Sequence, residues 1–298
     1  MQDKAEDEGN TICIVKNDNG ILWKFNRLQY MIFRCYTPLA VWREIMNNNV
    51  IAAQLFTLRG HLRTPGEIEK TFEKVKALGY KAVQVSGLGV TDPVFIRDLT
   101  SRLGLKVCAT HYPFERLRDD TAAVIDEHRT MACEFAGMGS MPAEYPRTKD
   151  GYLSFARDAS ALGKKLSAHG LKLIYHNHSF EFQKYGNSTA LDILINESDP
   201  EYLGFEIDTY WVQAGGGSPV QWLKKVAGRI DVVHFKDMAF VEGKQEMAAI
   251  GEGNLDWPSI IEVCKEINVK WYAVEQDVCP RDPFDCLASS LKYLQQYI

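Results

Sequence analysis

From Val50 onward, short apolar runs alternate with longer stretches whose apolar residues recur at helical spacing. The strand-like runs fall at residues 50–56, 81–86, 105–110, 132–136, 171–176, 203–208, 230–235 and 270–275. Most are apolar and β-branched on both parities, as in strands covered on both faces. The fourth, Ala132-Cys133-Glu134-Phe135-Ala136, is the weakest. The stretches between them carry helix punctuation. Thr64-Pro65-Gly66-Glu67 combines a capping hydroxyl, a proline at the first helical position and a Glu three residues after the cap. Ile68, Phe72 and Val75 then share one face, and Gly79 ends the helix. Ala161, Leu162 and Leu166 mark a helix stopped by Gly170, and Ser218-Pro219 opens another. Asp282-Pro283 opens the last, with Phe284, Leu287, Leu291 and Leu294 along it. Repeated β-then-α units imply a parallel sheet with right-handed crossovers. Eight such units imply an α/β fold, a single (β/α)8 TIM barrel over residues 50–298, more than an open sheet.

Residues 1–49 behave differently. The start, Met1-Gln2-Asp3-Lys4-Ala5-Glu6-Asp7-Glu8, is polar and acidic and reads as disordered. Apolar and aromatic residues follow without a sustained period, so these residues are expected to form a poorly structured, partly disordered extension. The start also lacks the apolar region of a signal peptide, and no run approaches the roughly 18 apolar residues of a membrane helix. Seven cysteines without a C-x-x-C spacing, several in apolar runs, fit reduced core thiols. A cytoplasmic location is therefore expected. The net charge of −5 and the lack of a Lys/Arg-rich run argue against a nucleic-acid partner. A membrane partner is likewise not expected. The oligomeric state stays open, a homo-oligomer included.

In this architecture, active sites lie at the C-terminal ends of the strands. There the later runs carry an unusual polar set. The fifth ends His176-Asn177-His178, with two imidazoles on one parity. The sixth ends Glu206-Ile207-Asp208, the seventh His234-Phe235-Lys236-Asp237, and the eighth Glu275-Gln276-Asp277. Neighbouring strands are roughly 4.8 Å apart, so His176, Asp208, His234 and Glu275 can converge on one ion. A shell of imidazoles and carboxylates without thiolate suits Mn²⁺, Mg²⁺, Co²⁺ or Zn²⁺. Each residue also has an ordinary structural role open to it. Asp208 can cap a turn, Glu275 can pair with a cation, and Lys236 can be a surface lysine rather than the partner of an enolate oxygen. Glu181, beyond the fifth strand, is open as ligand, base or supporting group. Trp211 can stack on a sugar or fill the core. His111 follows the third run. Gly215-Gly216-Gly217 reads as a flexible turn ahead of a phosphate cradle, and Gly251-Glu252-Gly253 belongs to a long loop that can cover the site.

From about residue 50 to the end, the chain resembles the sugar phosphate isomerase/epimerase group of xylose-isomerase-like barrels. The motifs that carry this are Gln54-Leu55-Phe56-Thr57-Leu58-Arg59, Tyr175-His176-Asn177-His178-Ser179-Phe180-Glu181-Phe182, Glu206-Ile207-Asp208, His234-Phe235-Lys236-Asp237, Gly251-Glu252-Gly253 and Val274-Glu275-Gln276-Asp277. The resemblance implies one divalent metal and a small carbohydrate substrate. It carries Asp208, His234 and Glu275 over as metal ligands. Many epimerases of the group have a glutamate near the place of His176, so the fourth ligand stays open among His176, His178 and Glu181. The implied reaction is isomerisation or epimerisation by proton abstraction next to a carbonyl, through an enediolate. Glu275, His178, Glu181 and Lys236 are the candidate catalytic groups, and His111, Trp211 and Arg59 the candidate substrate contacts. Expulsion of a β-oxygen from the same intermediate would instead make the protein a lyase or dehydratase of a keto-sugar or 3-keto-glycoside. A multi-metal phosphoesterase on the same barrel fits poorly with seven histidines and a net negative charge.

Overall fold

The computed structural model describes residues 12–16, 22–26, 50–89 and 91–298. The chain divides into two units, Met1–Asn48 and Asn49–Ile298.

In the second unit, eight parallel strands close into a barrel. They are β1 (Val50–Gln54), β2 (Ala82–Val85), β3 (Lys106–His111), β4 (Phe135–Met138), β5 (Lys172–His176), β6 (Leu203–Asp208), β7 (Val232–Phe235) and β8 (Trp271–Val274). Each pairs with its sequence neighbours, and β8 returns to β1 through Trp271↔Val50 and Val274↔Ala53. All eight expected strands are present. β1 is shorter than expected, because residues Leu55–His61 turn into a 3-10 helix whose first free N–H donates to the Gln54 side chain. β4 lies later than expected, at 135–138 instead of 132–136. Ala132 takes a left-handed φ of 52° where the preceding helix turns back, so the strand cannot start there.

The helix signals act as read. Thr64 and Glu67 form a reciprocal capping box, and Gly79 closes that helix at φ 107°. Such a cap contributes about 1 kcal/mol. Ser218 and Asp282 cap the helices that open with Pro219 and Pro283. Leu162 and Leu166 are buried in the helix Lys149–Ser167, as are Phe284, Leu287, Leu291 and Leu294 in the last helix.

Apolar side chains fill two separate regions. The larger lies between the barrel and its helices, with Phe72, Phe155, Tyr175, Phe205 and Tyr272 among its members. The smaller is inside the barrel and comprises Ala52, Ala82, Cys108, Ala109, Phe135, Ile174, Val232 and Ala273. Its members recur two residues before polar ones on the same parity: Ile174 before His176, Val232 before His234, Ala273 before Glu275. The barrel is therefore plugged with apolar groups below and lined with polar groups above. No helix among the described residues is long and apolar enough to cross a membrane.

In the first unit, Ile12–Lys16 and Leu22–Asn26 form an antiparallel hairpin, with Ile12 opposite Asn26 and Lys16 opposite Leu22. The expected extension of residues 1–49 thus contains one described strand pair. Asn17-Asp18-Asn19-Gly20 between two apolar runs is a hairpin signal. The acidic residues 1–10 lie outside the described residues.

Candidate active site

The polar layer is built by parity. His176 ends β5, and register places it beside Glu206 of β6. Asp208 ends β6 beside His234 of β7. Glu275 follows β8. One donor atom from each of His176, Asp208, His234 and Glu275 lies within 4.8 Å of those of the others, and all four residues are buried. Of the three residues left open for the fourth position, His176 is the one in this group.

The surroundings orient these donors. His176 Nδ1 is 3.1 Å from the Gly139 carbonyl, which leaves Nε2 facing Asp208 Oδ2 at 3.2 Å. His234 Nε2 meets Gln84 Oε1 at 2.8 Å and Glu206 Oε1 at 3.2 Å, leaving Nδ1 toward Glu275 Oε2 at 3.1 Å. A metal-bound imidazole needs such a partner on its second nitrogen. Asp208 is held as well, since Oδ1 accepts the Trp211 N–H at 2.8 Å and the Asn177 side chain accepts the Asp208 N–H at 3.0 Å. The donor set and its supports thus fit a divalent ion. Lys236 shares the same oxygens, with Nζ 3.1 Å from Glu275 Oε2 and 3.5 Å from Asp208 Oδ2.

Lys236 is only 1% exposed, so it is not a surface lysine. Its ammonium also donates to Asp277 Oδ2 at 2.5 Å. Burial opposes its charge, but Glu275, Asp208 and Asp277 outweigh burial and hold it firmly protonated. Burial likewise pushes Glu275 up, yet Lys236 and His234 reverse this and hold it well below the usual carboxylate range. Asp277 goes the other way, raised by burial and by the charge of Glu275 despite the pull of Lys236. For His234, the opposing carboxylates Glu206 and Glu275 overcome burial and raise it well above an ordinary imidazole.

These groups open on a cavity of about 410 Å³. His111, His176, His178, Trp211, Lys236, Glu275 and Asp277 line it. His178 stands edge-on to His176, and burial together with His176 lowers its pKa to about 3, so its ring is neutral. His178 Nδ1 and Trp211 Nε1 are buried without a hydrogen-bond partner. His111 is tied through Nε2 to Glu206. A side chain at Gly137 would reach within 2.7 Å of the His111 ring, so the bare inward position in β4 makes room for that imidazole.

Two expected site residues are elsewhere. Glu181 sits on the outer side of β5, buried, where it accepts from the Tyr175 hydroxyl at 2.5 Å and from the His178 N–H at 2.9 Å. The 3-10 turn Phe180–Phe182 reverses the chain and carries it there. Arg59 is exposed and is not among the cavity's lining residues. It donates to the carbonyls of Phe56 and Asp277 at 2.9 and 2.8 Å, tying the loop after β1 to the loop after β8. Conversely, Gln84, Asn177, Glu206 and Asp277 take up positions in the site without having been assigned a role. For three of them the signal was parity: Gln84 shares a face with Ala82, Glu206 with Asp208, and Asp277 with Glu275, whereas Asn177 has the opposite parity to His176.

Residues 72–297 match the family described as xylose isomerase-like TIM barrel. The chain belongs to that family. An inosose dehydratase of Lacticaseibacillus casei is 22% identical over 268 residues, covering 76% of this chain and 88% of its own. An inosose dehydratase of Clostridium beijerinckii (strain ATCC 51743 / NCIMB 8052) is 25% identical over 226 residues, covering 69% and 70%. Among solved structures, a sugar phosphate isomerase/epimerase from Parabacteroides distasonis ATCC 8503 superposes with a TM-score of 0.72 at 19% identity, over 84% of this chain and 94% of that one. The xylose isomerase-like barrel is thus shared with proteins named for carbohydrate chemistry.

Proposed function

We propose that this protein is a divalent-metal-dependent lyase that removes water, or an alcohol at the same position, from a keto-sugar. The observation that carries the reading is the pair of carboxyls on β8's continuation. Both line the cavity and both accept from Lys236 Nζ, Glu275 at 3.1 Å and Asp277 at 2.5 Å, and only Glu275 belongs to the grouped metal donors. Two neighbouring carboxyls in such different surroundings are suited to base and acid roles. Only one of the four grouped donors is a glutamate, whereas the resemblance implies two for epimerases. The names of the dehydratase relatives point the same way.

His176, Asp208, His234 and Glu275 would hold the metal, which when bound would polarise a ketone oxygen. Glu275 takes the proton from the carbon beside the ketone. The electron pair of that C–H bond becomes the new C=C bond, and the C–O bond at the β-carbon breaks. The departing oxygen takes a proton from Asp277 and leaves as water or alcohol. Lys236 keeps positive charge beside the site throughout, which favours negative charge on substrate oxygen. His178 and Trp211 offer unpaired nitrogens to substrate hydroxyls. The apolar plug beneath keeps water from entering through the barrel.

Incubation with inosose and a panel of keto-sugars in D₂O with Mn²⁺, read by NMR, tests this. The expected result is an unsaturated or dicarbonyl product one water lighter. Deuterium entering recovered substrate, or its isomer, without loss of water would make isomerisation or epimerisation the reaction. No exchange with any ketone would remove both.

A further inference from the structure

We propose that the site takes an uncharged keto-sugar bearing an apolar substituent and excludes phosphorylated sugars. This rests on the keto-sugar reading above and adds the substrate's substituent. Three observations carry it.

The first concerns the place where barrels of this kind commonly hold phosphate, the loops after the seventh and eighth strands. Here the loop after β7 contains Gly251 and Gly253, and its N–H groups converge as in an anion nest. The chain fills that nest with its own carboxylate. Asp237 Oδ2 accepts from Gly251 N–H at 2.9 Å, Gly253 N–H at 3.0 Å and Trp257 Nε1 at 2.7 Å. Its Oδ1 accepts from Met238 and Leu255 N–H at 2.8 and 3.3 Å. No donor there is left for a phosphate. In the other glycine run, Gly215 lies against the ring of Phe182 and Gly217 against those of Phe182 and Trp222, and the run is outside the cavity lining.

The second is charge. The lining holds the carboxylates Glu115 and Glu275 and the acid group of Asp277 against one cation, Lys236, whose ammonium already lies within 3.5 Å of oxygens of Asp208, Glu275 and Asp277. A divalent ion would be balanced by Asp208 and Glu275. A phosphate dianion entering this lining meets repulsion and no free cation.

The third is the apolar part of the lining, which includes Phe56, Tyr112, Phe114 and Met141. Arginines stand over three of these rings yet are not among the lining residues: Arg59 over Phe56 at 4.5 Å, Arg116 over Tyr112 at 4.3 Å and Arg118 over Phe114 at 5.7 Å. Arg116 pairs with Glu127, and Arg118 with Asp119 and Glu144. The cavity therefore meets the rings, not the guanidinium groups. Phe56 remains 36% exposed, apolar surface that an aromatic or aliphatic substituent would cover.

The test uses the full chain with Mn²⁺ in two arms. In the kinetic arm, kcat/KM is compared for a 3-keto-hexose, its phenyl glycoside and its 6-phosphate. The phenyl glycoside should exceed the bare sugar by at least about tenfold, and the phosphate should fall at least about tenfold below it. Phe56→Ala should shrink the phenyl advantage. In the binding arm, calorimetry compares glucose, phenyl glucoside and glucose 6-phosphate, which needs no turnover. A phosphate that binds or reacts as well as the bare sugar would overturn the proposal, as would a phenyl group without effect. If no ketone reacts but phenyl glucoside still binds best, the reaction assigned above fails while the preference for an uncharged sugar with an apolar substituent stands.

Discussion

Strand β5 separates two buried carboxyl environments. Outside it, Glu181 is packed near Tyr152 and bonded to Tyr175 and the His178 backbone. Inside the barrel, Glu206 and Glu275 stand among His111, His234 and Lys236. All three carboxyls are almost fully buried. Burial pushes each of them up, but the outcomes differ. Glu181 rises to about 8, because its hydrogen bonds only partly offset desolvation. Glu206 is pulled below its ordinary value by His234 and His111, and Glu275 by Lys236 and His234. Equal burial therefore gives a neutral carboxyl where hydrogen bonds and a single arginine, Arg147, only partly offset it, and an ionised one where cations converge. Depth alone does not tell a working carboxylate from a structural one.

The sharpest way to probe this contrast is to neutralise one carboxyl on each side. Glu275→Gln should lower kcat by about 10²–10⁴-fold, the usual worth of a positioned base, measured on whichever ketone the Mn²⁺ panel identifies. An unaltered rate would end its role. Removing the cation tests the inner side's stability. Lys236→Met leaves the carboxylates of Asp208 and Glu275 beside a neutral chain, and breaking a buried pair costs about 3–5 kcal/mol. Urea unfolding should show a markedly lower midpoint, and an unmoved midpoint would mean that Lys236 is not what keeps those groups charged. Glu206→Gln retains a hydrogen-bonding side chain but loses the charge behind His234. Mn²⁺ affinity by calorimetry should fall about 10–100-fold, as for other groups that orient a metal-bound imidazole.

The smallest effect is expected outside, and it depends on pH. The folded-state pKa of Glu181 is above its ordinary value of 4.5. The stability gained from the neutral form is thus complete below that value and is lost as pH rises through about 8. Glu181→Gln has no such titration, so its melting temperature should gain on the parent protein by a few degrees between pH 5 and 9. A constant difference would show that Glu181 ionises like an exposed side chain.

Much of this was legible in the sequence because strands encode direction in parity. His176, Asp208, His234 and Glu275 could be grouped from their places at strand ends. Glu206 and Asp277 obeyed the same rule two residues away, but a carboxylate looks alike whether it supports, reacts or caps. Gln84, between Ala82 and apolar neighbours, gave no chemical signal by itself. Glu181 was misleading for a geometric reason, since parity stops at the end of β5 and the 3-10 turn sends the chain to the other side. Arg59 was similar, lying in the 3-10 segment after β1. The β4 boundary was blurred because the strand is only four residues long and one of its inward positions, Gly137, carries no side chain from which a period can be read.

Glu206 also bears on how the barrel assembles. Its partners Gln84 and His111 are 122 and 95 residues away in sequence, on β2 and β3. A half-barrel of β5–β8 would already contain Glu206 beside His234 but would lack both of those partners. The carboxylate is fully satisfied only when the ring closes across the two halves. Partly closed forms thus carry a buried charge without its full set of bonds, a penalty that grows with dehydration. The network that shapes the site therefore penalises half-assembled states and makes closure of the barrel more nearly all-or-none.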